Sequence, residues 1–474
     1  MAASPVDALL PLRDLDGSIL LAVSGGGDSM ALLHAAVEAR QQVTRFPALH
    51  ALTVDHALRD ESAREADFVA QECVRLNVSH RTVRLDWTPP TSGLQSRARY
   101  ERISTLRSVA MELGATILTG HTTDDDAETM AMRQARDDAD DSEWAGIPAG
   151  LWLQPGWLLR PFLRQRRADL RLWLSSQGVS WIDDPSNEDD RFERVRVRRD
   201  LAANPEAISV LNDRAQKAGK RREAVTGDAA RLIQTEFRAS CEGFGVRVEH
   251  KDRIMIDGSA AMLAIRTICA HVGGVMRTPP LSMTRDAFLR VRTGGPAGPP
   301  RSATLSRCLI VANDSTLHIV PEARDWGAPR VASYSVALGE RNGEWRKPRR
   351  VPLQRWGAPV FHGVWVLDGL PSGADAWAAN PAIYSTNPNG TVPPKVAISH
   401  QTAPHGMVHA HYGPVVEARV TARPLVRALT PYVEFVPSTD LSLAGALAML
   451  AGRPASEVPR YLPLDSERRP FEPR

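Results

Sequence analysis

The sequence predicts an α/β protein: a doubly wound, mainly parallel sheet, then a helical region, then a β-rich C-terminal module. Three observations carry that expectation. Short β-type runs alternate with helical patterns through the first two hundred residues, and strands separated by helices form parallel sheets. Polar motifs fall at the carboxyl ends of those strands, where open α/β sheets bind ligands. Past TGGPAGPP, which starts at Thr293, proline, glycine and β-branched residues dominate, and Trp326, Trp345, Trp356, Trp365 and Trp377 follow.

The elements run in order. Ile19–Val23 reads as a strand and Ser29–Arg40 as a helix. Leu49–Val54 is a strand before a helix over Glu61–Leu76. Val83–Leu85 is a short strand before the long helix Leu94–Leu113, and Thr116–Leu118 leads into a helix over Thr122–Arg136. From Asn204 to Arg292 the pattern is mostly helical and polar, with a basic knot at Lys217–Arg222. The expected domains are 1–203, 204–292 and 293–474, in line with a length of 474 residues.

A formal net charge of +3 argues little about partners. Cys73, Cys241, Cys269 and Cys308 are scattered with no CxxC pair, which fits reduced thiols in a cytoplasmic protein. The N-terminus has no basic segment followed by an apolar core, so no secretory signal is expected. No apolar run approaches the length of a membrane span, so no membrane partner is expected. Nothing in the sequence sets the oligomeric state.

The first chemical motif is Ser24-Gly25-Gly26-Gly27-Asp28-Ser29, between a strand and a helix. Its spacing is neither GxGxxG nor GxxxxGK[ST]. A tight structural turn would also use glycines. A phosphate seat would use them because backbone N–H groups at a helix N-terminus can then approach the anion. Ser24 and Ser29 would offer hydroxyls to the same oxygens. Asp28 would repel phosphate directly, so it should act through Mg²⁺.

Two further patterns are legible from residue types. His121, Asp125 and Glu128 are spaced i, i+4, i+7 and so share one helix face. Helix-dipole decoration accounts for Asp124–Asp126, with Thr122 or Thr123 as cap, but for neither His121 nor Glu128. Arg191, Arg194, Arg196, Arg198 and Arg199 crowd one stretch with Glu193 the only acid among them. Such a run is either a solvated face or a set of RNA phosphate contacts.

SGGGDS after a strand resembles the pyrophosphate loop of the N-type ATP pyrophosphatases, the PP-loop superfamily with a Rossmann-like sheet. Four more segments occur in order: VDHALRDESAREADFV (Val54–Val69), LQSRARYERI (Leu94–Ile103), TGHTTDDDAETMAMR (Thr119–Arg133) and WIDDPSNEDDRFERVRVRR (Trp181–Arg199). With the loop they resemble the tRNA(Ile)-lysidine synthetases over roughly residues 18–200. The resemblance implies a ligase that uses ATP and Mg²⁺ to adenylate the wobble cytidine of the CAU anticodon of tRNA(Ile). The amine of L-lysine then displaces AMP.

The resemblance also implies residue roles. The glycine loop would hold the diphosphate, with Val54, Asp55 and His56 on the nucleoside side. His121 would lie near the adenylation chemistry, and Asp125 and Glu128 near the lysine amine. Two carboxylates can locate that amine, and a carboxylate or histidine can accept its proton. Of the RARY arginines, Arg99 would meet phosphate or the flipped base, while Arg97, Arg191, Arg194, Arg196 and Arg198 would bind tRNA. His56, Arg59, Ser62 and Glu65 are equally explained as a strand end and a capped helix.

The chain departs from the family at 137–145, where an acidic run replaces a glycine-serine-glycine loop. The basic stretch Arg341–Arg350 around Trp345 would suit an RNA surface or a solvated turn. The competing functions are a PP-loop tRNA thiolase, an amidotransferase-type synthetase and a non-catalytic tRNA-binding relative. Cys73, mid-helix among apolar neighbours, argues against thiolation, and no glutaminase segment or N-terminal cysteine is present.

Overall fold

The computed structural model describes residues 4–57, 62–87, 90, 93–135, 146–153, 156–183, 193–239, 246–248, 258–275, 277–292, 301–312, 316–321, 333–335, 350–352, 407–412, 416–421, 431–432, 435–451 and 458–459. Arg59, Arg191, the acidic run at 137–145, Cys241, residues 341–349 and the five C-terminal tryptophans lie outside the described residues. Two compact units are formed. One comprises Met1–Val225 with Glu434–Ser442 and Val458–Arg474, the other Thr226–Val433 with Leu443–Glu457.

The first unit is built on a seven-stranded sheet with β1 (Ser18–Ala22) inside it. β1 runs parallel to β2 (Ala48–Asp55) on one side and β4 (Ala115–Leu118) on the other, with Ile19 opposite both Leu49 and Thr116. β3 (Ser79–Arg84) lies parallel outside β2, and β6 (Trp157–Leu159) parallel outside β4. β5 (Gly150–Trp152) and β16 (Val436–Pro437) close the other edge antiparallel. Leu20, Leu52, Ile117 and Leu158 form the core of the sheet with Leu106 and Val109 of α3 (Leu94–Leu113). α1 (Gly27–Gln42) is buried almost all round, with Met30, Leu32 and Leu33 inaccessible, and it packs on α5 (Arg167–Ser176). α2 (Ser62–Arg75), α4 (Thr123–Ala135) and the long α7 (Pro205–Glu236) follow the predicted helical patterns, and α6 (Glu193–Ala203) carries the arginine-rich stretch.

The mainly parallel sheet is the predicted one, with differences at its edges. β3 begins at Ser79 rather than Val83, because an edge strand with mostly exposed side chains carries little apolar signal. β5, β6 and β16 are three residues or fewer, too short to register as alternation.

The second unit holds a five-stranded antiparallel sheet in the order β7 (Phe237–Ala239), β8 (Val246–Val248), β11 (Leu317–Pro321), β10 (Cys308–Ala312), β9 (Arg301–Leu305). α8 (Ser259–Val272), buried nearly throughout, contacts β11, and α9 (Leu281–Arg292) contacts β9. Val246 faces Ile319, so β8 joins the region expected to be helical to the β-rich region after it. The first break between the compact units falls within α7. β12 (Ser333–Ser335) pairs with β13 (Arg350–Pro352), and β14 (Met407–Tyr412) with β15 (Val416–Thr421). α10 (Leu441–Leu450) is the last described helix. Among the described residues no helix is long and apolar enough to cross a membrane.

Candidate active site

The carboxyl ends of β1, β2 and β4 open into a cavity of about 940 Å³. The glycine loop forms one wall. Gly25 takes φ +86°, a left-handed turn that suits glycine, and its carbonyl accepts the Ile182 N–H at 2.9 Å. α1 starts after Gly26 with no side-chain cap, leaving its first N–H groups facing the cavity. Ser29 does not offer its hydroxyl outward. That hydroxyl donates to the Gly26 carbonyl at 2.9 Å and accepts the Ser24 N–H at 3.1 Å, so it staples the loop. Ser24 stays exposed at the rim. Gly120, after β4, approaches Asp28 so closely that a Cβ there would sit 2.7 Å from the Asp28 carbonyl oxygen.

Opposite stands α4. Thr122 and Asp125 form a capping box: the Asp125 Oδ2 accepts both the Thr122 N–H and hydroxyl at 2.8 Å. The three consecutive acids part company. Asp124 accepts the Arg167 backbone N–H at 2.8 Å and pairs with Arg166 at 3.2 Å, fixing the start of α5. Asp126 accepts the Ile147 N–H at 2.5 Å. Asp125 faces the cavity with Glu128, which is 1% exposed, and His121.

One guanidinium ties these acids to the loop. Arg167 donates from Nε to Asp28 Oδ2 at 2.9 Å, from Nη2 to Asp125 Oδ1 at 3.1 Å and from Nη1 to Glu128 Oε1 at 3.1 Å. Arg194 reaches Glu128 Oε2 at 2.6 Å and Asp125 Oδ1 at 3.0 Å, and Arg198 reaches Glu128 Oε1 at 2.7 Å. Two of the arginines expected on RNA are therefore turned inward onto carboxylates, whereas Arg196 is exposed. Arg97 pairs with Glu101 at 2.6 Å along its own helix and lies near the Tyr100 ring, away from the cavity lining. In the same segment Arg102, rather than Arg99, lines the cavity.

On the second strand, Val54 and His56 line the cavity. Asp55 does not; its Oδ1 accepts the Ala57 N–H at 2.7 Å and its Oδ2 lies 3.8 Å from Arg84. Trp87 donates to the His56 carbonyl at 2.9 Å. Arg167, Arg102 and Arg171 are functional candidates that sequence reading missed. For Arg167 and Arg171 the signal available was RPFLRQRRADLR, Arg160 to Arg171, which holds five arginines against the single acid Asp169; Arg102 lies in the LQSRARYERI segment.

The charges set the protonation states. Burial would raise the Asp125 carboxyl, but Arg167, then His121, Arg194 and the Thr122 N–H, outweigh it and hold the group at about 2. Burial pushes His121 down to about 3, and the charge of Arg160 adds to that against the pull of Asp125, so the ring is neutral. The Thr119 hydroxyl meets its Nδ1 at 2.9 Å. Burial raises the Asp28 carboxyl in spite of Arg167. Asp28 Oδ1 is buried without a hydrogen-bond partner, an orphaned anionic oxygen beside the glycine loop. That suits a hard cation shared with phosphate oxygens. Among the described residues no cluster of three His, Cys, Asp or Glu groups could hold a metal unaided.

A strand, a glycine loop opening a buried helix, and an acidic helix across the cavity define a PP-loop protein, and residues 7–204 match the PP-loop domain family. Proteins of this class use ATP. The chain is 34% identical over 456 residues to the tRNA(Ile)-lysidine synthase of Rhizobium meliloti, with 93% of each chain covered. It is 33% identical over 469 residues to that of Mesorhizobium japonicum, with 94% of each covered. The chain belongs to the tRNA(Ile)-lysidine synthase family. Among solved structures, the U34-tRNA thiolase NcsA from Methanococcus maripaludis is 16% identical, covering 45% of this chain and 77% of its own, with a TM-score of 0.39.

Proposed function

We propose that the chain ligates L-lysine to the wobble cytidine of the CAU anticodon of tRNA(Ile), converting ATP to AMP and diphosphate. The observation that carries this is the pairing, in one cavity, of an uncapped glycine-loop helix with the acid pair Asp125 and Glu128. The backbone of Ser24, Gly25, Gly26 and Gly27 receives the departing diphosphate, with Ser29 shaping the loop. Asp28, with its unpartnered Oδ1, would hold Mg²⁺, which would neutralise phosphate charge. Val54 and His56 flank the nucleoside, and the unpartnered His56 Nδ1 gives it a polar contact. Asp55 supports that wall through Ala57 rather than by touching ATP.

The cytidine oxo oxygen attacks the α-phosphorus and diphosphate leaves. The lysine amine then attacks the ring carbon that bears that oxygen, its proton passes to a cleft carboxylate or to solvent, and the carbon–oxygen bond breaks so that AMP departs with the oxygen. Asp125, held charged by its arginines, grips the ammonium with Glu128. Neutral His121 lies beside the adenylation centre as a hydrogen-bonding group. Arg99 or its cavity-lining neighbour Arg102 contacts the flipped base or phosphate. Arg97, Arg191 and the exposed Arg196 contribute the RNA surface of a catalytic domain spanning 1–203, while Arg194 and Arg198 hold the cleft carboxylates; 204–292 is an intermediate domain and 293–474 a tRNA-binding module. The protein works in the cytoplasm, where its RNA is made.

Incubation with ATP, labelled lysine and unmodified tRNA(Ile) tests the reading. The expected result is AMP release with lysine incorporated in the RNA. AMP release without incorporation would assign a different nucleophile, and neither product would overturn the ligase reading.

A further inference from the structure

Acceptor positions on the acid pair are fully taken. A carboxylate oxygen offers about two lone-pair positions. Asp125 Oδ2 holds the Thr122 N–H and hydroxyl, and Asp125 Oδ1 holds Arg167 and Arg194. Glu128 Oε1 holds Arg167 and Arg198, and Glu128 Oε2 holds Arg194 and, at 3.4 Å, Arg198. Charge is balanced as well: Arg167, Arg194 and Arg198 face Asp28, Asp125 and Glu128. An ammonium entering this site meets neither net negative field nor an open acceptor.

Of the three arginines, only Arg167 also touches the glycine loop. Its departure vacates one position on Asp125 Oδ1 and one on Glu128 Oε1, on the side facing Asp28. Two vacated acceptors on neighbouring carboxylates make a seat for an ammonium. Triphosphate at the loop supplies the strongest competing acceptor for a guanidinium, since phosphate oxygens accept bidentate arginine bonds. A cation on Asp28 Oδ1 would offset the carboxylate charge and so weaken the third of the contacts that hold Arg167 in place, the one to Oδ2.

Resting on the function proposed above, we infer that Arg167 is a positioning residue that occupies the amino-acid ammonium seat until nucleotide phosphates draw it away. Amino-acid binding is then coupled to nucleotide binding through one side chain. Linkage makes the coupling reciprocal, so lysine tightens nucleotide binding by the same factor.

The test is calorimetric titration of L-lysine into the full chain, alone and saturated with Mg²⁺ and α,β-methylene-ATP. The wild type is expected to bind lysine about tenfold or more tightly in the loaded state, within the usual range of allosteric coupling. Arg167→Gln is expected to bind lysine tightly without nucleotide, with the two affinities within about twofold of each other. Arg167→Lys, which keeps the charge but can bridge fewer carboxylates, should retain part of the coupling, and thermal melting of both variants checks the fold. Equal lysine affinity of the wild type with and without analogue overturns the inference while leaving the ligase reading intact. So does undiminished coupling in a folded Arg167→Gln protein. Absence of lysine binding in every state, tRNA-bound included, overturns the assignment of the acid pair itself.

Discussion

Single residues in the cleft are tuned by burial and by arginines, and two of them yield tests. Asp28 presents one oxygen to Arg167 and leaves the other buried and unpartnered. Asp28→Ala should abolish AMP formation and leave tRNA affinity largely intact, measured by filter binding; equal loss of both would assign the residue to folding. His121 makes a stability prediction. Its folded value of about 3 lies below the ordinary 6.5. The unfolded chain therefore binds the extra proton first as pH falls, and stability declines from 6.5 toward 3. One such proton gives a slope of about 1.4 kcal/mol per pH unit. His34, His56 and His80 are lowered too, each chiefly by burial, and add to the same decline. Asp125 works lower, because its depressed value protects stability until pH falls below the ordinary 3.8. His121→Gln should shallow the decline between pH 6 and pH 4 by roughly one proton's slope, read from urea unfolding at each pH. An unchanged slope would mean that the imidazole is protonated in the fold.

At the scale of elements, the loop–helix junction depends on the close approach of two backbones. A Cβ on Gly120 would lie 2.7 Å from the Asp28 carbonyl oxygen and 3.0 Å from its carbon, both backbone atoms that no rotamer change can clear. Gly120→Ala should cost roughly 1–3 kcal/mol, as overpacked sites do. It should also weaken binding of the ATP analogue by moving Asp28; a variant as stable as wild type would show that the junction gives. The loop half of the junction was readable in the sequence because its parts are contiguous, a strand, three glycines and Asp28; the approach of Gly120, far along the chain, was not. The shared face of Asp125 and Glu128 was readable because helical spacing is local; His121 lies before α4 starts, so it joins them at the cavity from the strand end rather than from the helix face. Arg167 was not readable, because its partner Asp28 lies 139 residues away and an arginine run reads as a solvated face. Asp55 differs in the opposite sense: its place at a strand end puts it beside the cavity, but its Oδ1 accepts the Ala57 N–H and it does not line the cavity. β7 and β8, three residues each in a region of helical texture, left no periodicity to detect.

Across the whole molecule, the chain passes through the second unit and then returns residues 434–442 to the first. The return is secured by side chains as well as by β16. Arg222 of α7 donates to both oxygens of Asp440, at 3.0 and 2.7 Å, and the Thr439 hydroxyl donates to Oδ1 at 3.0 Å. Asp440 is 5% exposed. A buried pair of this kind contributes little relative to an apolar substitute, but removing one partner strands the other charge at a cost of about 3–5 kcal/mol. Asp440→Ala should therefore destabilise the first unit by about that amount. Two compact units need not unfold together, so the readout is hydrogen exchange at the amides of β5 and β6, beside which β16 lies. Faster exchange there in Asp440→Ala, with recovery of most protection in the paired Arg222→Met, Asp440→Leu protein, is the expected pattern. Unchanged exchange in Asp440→Ala would mean that the returning segment is held by β16 and its apolar neighbours alone. A protein in which both single and paired replacements lose protection equally would assign the tie to the specific geometry of the pair rather than to the stranded charge.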